Sequence, residues 1–400
     1  MNVLFCLYGD FASNSALQVA HLANQLKARG HDCAVAVPTG LPSLNSVDRA
    51  DFIAIHRADF TAVEFADLLS GPSPFRNREG PDVIHAWTTR ESIRRFLGQY
   101  RSRQSGARLV IHLEDHENFL TAAALGATAA ALGGLPDEEL DARCGPEVTH
   151  PRYGPALLAS ADGVTTIIDS LFAQAPAAMP KHFIWPAADA NFFKPQPRRD
   201  HLRSELGLTA ETLVLFYHGN THAANAAEMR SLYLAVALLN RQGVPTRLIR
   251  CGHDSVPFLG ADDSWVRRWV LPLGHVRQSH MPGLMSLADA FVQPGVPGLF
   301  NDFRFPSKLP EFFSIGRPVI LPRTNLGLKV RHLQDAYVVD RADGESIARA
   351  LQHLRLEPDL AAELGLGAVA FARKHFSWAE SAARLEAFYA QISDGGAARK

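Results

Sequence analysis

Two successive series of buried strands and helices constrain the fold of this 400-residue chain more than any other feature. Residues 2–8 form a continuous apolar run, as expected of a strand that is buried on both faces. A polar loop, a helical pattern over residues 16–29 and a strand at residues 33–37 complete a β-loop-α-β unit. The alternation continues, with a short strand predicted at residues 51–56, and a fresh series starts at residues 212–217. The sequence therefore predicts an α/β protein with two doubly wound, Rossmann-like domains facing each other across a cleft.

An irregular segment with three prolines, residues 186–197, marks the predicted boundary between the two domains. We therefore assign residues 1–188 to an N-terminal domain and residues 189–376 to a C-terminal domain. Residues 377–400 follow as a terminal helix and a tail. Residues 119–150 are alanine-rich at first and then contain glycine and acidic residues, which indicates an insertion or a lid in the first domain.

Composition and charge exclude several classes of protein. The formal net charge is −1 at pH 7, so no nucleic-acid partner is expected. No apolar run reaches the roughly 18 residues of a membrane-spanning helix, although peripheral contact with a membrane stays open. The N-terminus has neither a basic leader nor a long apolar segment, so no signal peptide is expected. The four cysteines are far apart and no HExxH or CxxC spacing occurs, which predicts no metal site and a cytoplasmic location.

The segment 303–320 places a helix directly after a buried strand. The preceding apolar run, residues 288–295, ends in Pro-Gly, and Ser307 stands where a helix cap is expected. The start of such a helix presents unpaired N–H groups and the positive end of the dipole, which suit a phosphate. Lys308 adds a positive charge there, and Glu311 adds a carboxylate one turn in. These residues fit a diphosphate attached to a ribose and an ordinary crossover with a capped helix equally well.

The candidate binding surface follows from the parallel order of the strands. Ligands of open α/β sheets bind beyond the carboxyl ends of the strands. The loops that meet this condition follow Tyr8, Ala86, Leu113, Tyr217, Cys251 and Gly295.

The order of these motifs resembles a large family of retaining, GT-B-fold glycosyltransferases, often called family 4 or glycosyl transferases group 1. The most specific match is the pattern P-x-K-L-x-E-x-x-x-x-G-x-P-V over residues 306–319. The other matching segments are Gly30-His31 after the first helix and residues 161–166, 189–195, 287–292 and 376–378.

The resemblance implies transfer of a hexose from a UDP- or GDP-linked donor to an acceptor, with retention of anomeric configuration. It implies a cytoplasmic enzyme of glycan or polysaccharide synthesis that uses the nucleotide sugar as co-substrate, without a metal or other cofactor. The acceptor is a glycan, a lipid, a protein or a small molecule, and the oligomeric state is left open. In this family the C-terminal domain binds the donor, the N-terminal domain faces the acceptor, and the terminal helix returns to the N-terminal domain.

Two other classes of function stay open. One is a noncatalytic partner protein that keeps the GT-B-like fold. The other is a different nucleotide-sugar enzyme, either an epimerase or an inverting transferase.

The resemblance also implies a set of donor-binding residues. Glu311 matches the second glutamate of the family's E-x7-E motif, which commonly contacts the ribose, and Lys308 would neutralise the leaving phosphate. The position of the first glutamate holds Phe303, and the adjacent Asp302 is the alternative carboxylate. The complete set is Gly219, Asn220, Arg250, Arg304, Ser307, Lys308, Leu309 and Glu311.

In the N-terminal domain, His112 ends a strand where the family often keeps a histidine near the transferred sugar. With Asp115 and Lys308 it makes up the predicted catalytic set. The predicted acceptor-side residues are Ser13, Asn14, His85, Glu114 and His116.

Overall fold

The computed structural model describes three stretches of the chain, residues 1–45, 57–104 and 106–394. The chain divides into two compact units, Met1–Pro186 together with the residues from Trp378 onward, and Ala187–Ser377. The boundaries expected after residues 188 and 376 lie close to these. The strand predicted at residues 51–56 lies outside the described residues.

The first unit contains a seven-stranded parallel sheet in the order β3-β2-β1-β4-β5-β6-β7. The order reverses between β1 and β4, which is the arrangement of a doubly wound sheet. Its strands are β1 (Asn2–Cys6), β2 (Asp32–Val37), β3 (Thr61–Glu64), β4 (Val83–Trp87), β5 (Arg108–Leu113), β6 (Gly163–Thr166) and β7 (Lys181–Phe183). Its helices are α1 (Asn14–Ala28), α2 (Phe65–Ser70), α3 (Glu91–Arg101), α4 (Glu117–Ala124), α5 (Ala129–Gly133), α6 (Asp137–Arg143) and α7 (Tyr153–Ala159).

The second unit contains a six-stranded parallel sheet in the order β10-β9-β8-β11-β12-β13. Its strands are β8 (Leu213–His218), β9 (Thr246–Cys251), β10 (Val270–Gly274), β11 (Ala290–Val292), β12 (Val319–Pro322) and β13 (Tyr337–Val339). Its helices are α8 (Asp200–Glu205), α9 (Ala226–Arg241), α10 (Met281–Met285), α11 (Leu309–Ser314), α12 (Gly344–Leu356) and α13 (Pro358–His375). The prediction of two Rossmann-like domains is confirmed.

Burial explains why these segments form strands. Every residue of β1, β4 and β11 is buried, as expected of strands that carry helices on both faces of a sheet. The helices cover the sheets with apolar faces, and in the second unit Leu232 and Val236 of α9 pack into the same core as Leu215 and Leu248 of the sheet. Among the described helices, none is both long enough and apolar enough to cross a bilayer.

The terminal helix α14 (Trp378–Asp394) belongs to the first unit and packs against α1. The predicted return of this helix is therefore confirmed. Gly163 in β6 lets α14 lie close to the sheet, because a Cβ atom there would lie 2.7 Å from the Phe388 ring. The Tyr389 hydroxyl lies 2.7 Å from Nδ1 of His85 in the buried interior of the same unit. A polar contact and close packing thus both attach the helix.

The predicted insertion at residues 119–150 contains helical structure of its own. Helices α5 and α6 fold there beside α4, around a small apolar cluster of Ala122, Leu132 and Leu140. The segment therefore has its own packed core, and its role as a lid stays a prediction.

Replacing Tyr389 by phenylalanine should destabilise the first unit by about 1–3 kcal/mol, because it leaves the buried Nδ1 of His85 without a partner. A matched control exists, since Tyr337 makes a similar 3.0 Å contact with Nδ1 of His353 at the surface. Tyr337→Phe should change the free energy of unfolding much less, because water can replace the lost hydroxyl. Urea unfolding followed by a probe in each unit measures both effects. Equal losses in the two variants would show that burial of the His85 contact is energetically irrelevant.

Candidate functional site

The loops after β8 and β9 approach each other closely at the carboxyl end of the second sheet. Gly219 and Gly252 both have left-handed backbone conformations, with φ of +124° and +115°. A Cβ atom on Gly252 would lie 2.4 Å from the carbonyl oxygen of Gly219, so no residue with a side chain fits at position 252 without a shift. The Gly219 N–H donates to the carbonyl of Cys251 at 3.1 Å. These contacts hold the two loops together at one edge of the sheet.

Lys308 lies against the first of these loops. A Cβ atom on Gly219 would lie 3.2 Å from Cε of Lys308 and 3.5 Å from its Nζ. The ammonium group lies 4.8 Å from the centroid of the Tyr217 ring, a cation–π distance. No ion pair of Lys308 occurs within the part of the chain that the structure describes. The site therefore contains a positive charge that forms no ion pair with a carboxylate of the described residues.

The two arginines of the predicted donor set have carboxylate partners. The Arg250 guanidinium is buried, with one nitrogen 3.4 Å from Asp254 and 3.1 Å from the Thr221 hydroxyl. Arg304 donates to Glu228 at 2.7 Å. Arg250 thus stabilises the loops, and its role as a donor ligand stays a prediction, since its buried Nε has no partner among the described residues.

The positive charges of the site affect the pKa of His222, which lies on the loop after β8. Burial lowers the pKa of His222, and the charges of Arg304 and Lys308 lower it further. Both cations therefore lie near enough to this loop to disfavour a further positive charge there. An anion bound there would meet the same field.

Glu311 lies one turn into helix α11, beside the end of β8. Its Oε2 atom is 2.9 Å from Nε2 of His218, close enough for an ion pair but not aligned as a hydrogen bond. Both side chains are mostly shielded, with exposures of 16% for Glu311 and 19% for His218. The other carboxylate oxygen accepts no hydrogen bond from the described residues. Glu311 therefore presents a fixed acceptor next to the glycine loop.

The start of helix α11 differs from the expectation in two ways. Lys308, and not Ser307, occupies the cap position, and no side chain caps the helix. Leu309 is fully buried, and its N–H donates to the carbonyl of Pro306 at 3.0 Å. The predictions of a Ser307 cap and of Leu309 as a donor ligand are corrected, because that N–H is already bonded and the side chain belongs to the core. Ser307 lies in the turn before the helix.

Asp302, the alternative to the missing first glutamate, closes its own loop. Its carboxylate accepts from the Gly298 N–H at 3.1 Å and from the Thr324 hydroxyl. Asn220 is exposed, and its side-chain oxygen accepts from the N–H of His253 at 2.9 Å. Both side chains thus shape the loops around Lys308.

The first unit has a separate polar cluster at the carboxyl ends of β1, β4 and β5. Glu114 is buried there and accepts from the Ser15 hydroxyl at 2.7 Å and from the Trp87 indole at 2.8 Å. Burial raises the pKa of Glu114, although the two hydrogen bonds and Arg90 oppose the shift. Asp115, the next residue, is partly buried.

Arg90 lies beside this carboxylate. Its guanidinium stacks 3.9 Å from the centroid of the Tyr8 ring and lies 3.3 Å from a Glu117 oxygen. The Thr149 hydroxyl donates to the same carboxylate at 2.9 Å. The cluster therefore combines two buried carboxylates with one cation and several hydroxyl groups.

His85 lies in the middle of β4 and His112 near the end of the adjacent strand β5, and both contact one hydroxyl group. Nε2 of His85 and Nδ1 of His112 lie 2.8 Å and 2.9 Å from the Thr165 oxygen. His85 is completely buried and has partners on both ring nitrogens, so its predicted acceptor-side role is corrected. Nε2 of His112 is buried without a partner among the described residues, and the ring stacks on Trp87 at 4.0 Å. Burial lowers the pKa of His85 to about 3 and that of His112 well below its usual value.

Two of the other predicted acceptor-side residues act as helix caps. The Ser13 hydroxyl accepts from the Ala16 N–H at 3.2 Å at the start of α1. Nδ1 of His116 accepts from the Phe119 N–H at 3.2 Å at the start of α4. Asn14 is the exposed first residue of α1. The local pattern of a polar residue before a helix accounts for both caps.

Sequence reasoning missed several residues of these clusters. Most of them lie at or just after the carboxyl end of a strand, whereas Ser15 and Glu228 lie in the first turns of α1 and α9. The side chains that meet in each cluster come from distant segments. They are Tyr8, Ser15, Trp87 and Arg90 in the first unit and Tyr217, His218 and Glu228 in the second. In the described stretches, no group of three histidine, cysteine or acidic side chains is placed to hold a metal ion.

Comparison with protein families matches a segment of the second unit. Residues 212–356, within the second unit, match the family model described as Glycosyl transferases group 1. No curated protein matches the chain significantly.

Similar solved structures include Alr3699/HepE from Anabaena in complex with UDP-glucose, 15% identical, with a TM-score of 0.65 and 100% of both chains covered. Sucrose-phosphate synthase from Thermosynechococcus elongatus is 16% identical, with a TM-score of 0.65 over 99% of this chain and 100% of that one. WaaG, a glycosyltransferase involved in lipopolysaccharide biosynthesis, is 15% identical, with a TM-score of 0.60 over 96% and 99%. The chain thus has the two-domain α/β fold of the GT-B glycosyltransferases and carries in residues 212–356 the sequence pattern of glycosyl transferases group 1.

Proposed function

We propose that this protein is a glycosyltransferase that binds a nucleotide-sugar donor at the carboxyl ends of β8, β9 and β11. The observation that carries the proposal is the Lys308 ammonium group, which lies against Gly219 without a carboxylate partner in the described structure. A nucleoside diphosphate would supply the missing negative charge. The Anabaena neighbour has been crystallised with UDP-glucose, with UDP and with UDP plus glucose, so UDP sugars are the first donors to test.

The residues around Lys308 would each contact or stabilise a different part of the donor. Gly219 lets a phosphate approach the backbone, since it has no side chain. The acceptor oxygen of Glu311, beside His218, suits the hydroxyl groups of a ribose. Arg304 adds to the positive potential, and Lys308 would stabilise the charge that develops on the leaving diphosphate, a preorganised electrostatic contribution.

The polar cluster of the first unit would serve the sugar and the acceptor. Nε2 of His112, buried and without a partner in the described structure, suits a hydrogen bond to a sugar hydroxyl. Asp115 and Glu114 are the neighbouring acidic groups. The acceptor would be a hydroxyl-bearing glycan, lipid, protein or small molecule.

We further propose retention of anomeric configuration, with the departing phosphate taking the proton of the acceptor hydroxyl. Lys308 provides the charge that a metal ion would otherwise supply, so the proposed reaction is independent of metal. The four buried, free cysteines favour a cytoplasmic location for this activity.

A panel of UDP- and GDP-linked sugars, analysed by mass spectrometry and NMR, tests the proposal. Transfer to an acceptor or to water, with the anomeric configuration of the donor kept, supports it. An inverted product, epimerisation of the donor, or absence of binding to every donor would each point to one of the alternative functions.

Replacing Lys308 by methionine keeps an unbranched side chain, one heavy atom shorter, and removes its charge. We expect kcat/KM for the donor to fall about 100-fold, because the leaving diphosphate loses its main electrostatic partner. The matched control is Lys374→Met, at an exposed position of α13. Steady-state kinetics with saturating acceptor measure both variants. Similar kinetics of the Lys308 and Lys374 variants would remove Lys308 from the proposed site.

Replacing Glu311 by alanine should weaken UDP binding several-fold, because one charge-assisted hydrogen bond to the ribose is lost. Titration calorimetry with UDP and with its 2′,3′-dideoxy analogue separates this role from a general effect. The substitution should matter for UDP and have little effect on the analogue, which lacks the hydroxyl groups. The exposed Glu363→Ala is the control. The same loss for both nucleotides would contradict a ribose contact.

A further inference from the structure

A cavity of about 940 Å³ lies in the second unit at the amino ends of the sheet strands, at the other end from Lys308. Leu213 and Ala290, the first residues of β8 and β11, line it, as does Pro318 just before β12. All strands of this sheet run parallel. The amino ends of the strands line the cavity, whereas Lys308 lies at their carboxyl ends. The cavity is therefore distinct from the proposed donor site.

One wall of the cavity is an apolar helix face that is partly open to solvent. Ala362, Leu366, Val369 and Ala370 of α13 line it, facing Leu354 at the end of α12. Leu366 is 74% exposed, although a leucine on a fully packed helix would be covered. The volume is within the range of sites that hold small organic ligands.

The rim of the same cavity is positively charged. Four arginines and two acidic residues line it, which leaves two positive charges in excess. Arg355 and Arg373 are exposed and make no ion pair with any described residue. Glu211, also exposed at the mouth, is the one carboxylate there that would repel an anion, since Asp289 is held by Arg203 at 3.2 Å.

A third guanidinium, that of Arg317, donates only to backbone carbonyls among the described residues. Its Nε donates to Ala288 at 3.0 Å, and a terminal nitrogen donates to Gln196 at 3.3 Å. Burial lowers the pKa of Arg317, although the charge of the nearby Asp289 opposes the shift. An anionic group in the cavity would compensate this loss of solvation.

We propose that this cavity binds an anionic amphiphile, with its alkyl or acyl chain along the apolar face of α13 and its phosphate head group near Arg355, Arg373 and Arg317. The cavity provides both parts of the match, an apolar wall for the chain and guanidinium groups without carboxylate partners for the head. The ligand comes either from free, monomeric amphiphile or from the anionic lipids of a membrane surface. The site is independent of sugar transfer.

Titration calorimetry with monododecyl phosphate, kept below its critical micelle concentration, tests the proposal on the full-length chain. We expect saturable binding to one site, and much weaker binding of inorganic phosphate and of dodecyl maltoside, which each supply one half of the ligand. The double variant Arg355→Glu, Arg373→Glu should weaken binding about tenfold or more. Arg241→Glu, an exposed position of the same unit outside the cavity, is the matched control.

A second variant tests the cavity itself without changing charge. Ala362→Trp places a large side chain at an exposed position of α13 that lines the cavity. It should block entry of the ligand's alkyl chain while leaving the fold and the net charge of the protein intact. No saturable binding by the natural chain, or unchanged affinity in Ala362→Trp, would overturn the proposal. Flotation with phosphatidylcholine vesicles, with and without 20% phosphatidylglycerol, then separates the sources. Binding to the anionic vesicles that Ala362→Trp abolishes indicates membrane lipid, and calorimetric binding without flotation indicates a free amphiphile.

Discussion

The close approach of two loops at Gly219 and Gly252 is the constraint on which the candidate donor site depends. Any side chain at position 252 would collide with the carbonyl of Gly219. The two glycines thus bring the ends of β8 and β9 together and leave room for Lys308 above the first loop. Because Arg250 and Arg304 are already paired with Asp254 and Glu228, Lys308 carries the charge that remains. The geometry of the backbone therefore decides where the unneutralised charge of the site lies.

Packing of a distant segment distinguishes two histidines that have similar positions in the sequence. His85 and His112 lie on adjacent buried strands, and both contact Thr165. The terminal helix supplies the hydroxyl of Tyr389 to His85 and so completes its hydrogen bonds, whereas Nε2 of His112 has no partner in the described structure. The packing of a segment some 300 residues away thus makes one histidine structural and leaves the other available.

Periodicity and turn residues were sufficient to predict the two βα series, most of their strands and the helix that carries Glu311. Local sequence could not predict which side chains pair across the fold. Asp302 was a reasonable replacement for a missing glutamate, yet its carboxylate closes a turn with Gly298 and Thr324. Leu309 follows the motif lysine but faces the core. Such outcomes depend on long-range packing, which a single sequence does not display.

We propose that the Lys308 ammonium group, which has no carboxylate partner among the described residues, binds the diphosphate of a nucleotide. Calorimetric titration with uridine, UMP and UDP at several salt concentrations tests it most directly. We expect UDP to bind at least about tenfold more tightly than UMP, uridine to bind least, and the advantage of UDP to shrink as salt increases. Equal affinities for the three ligands, or an advantage of UDP that salt does not change, would contradict it.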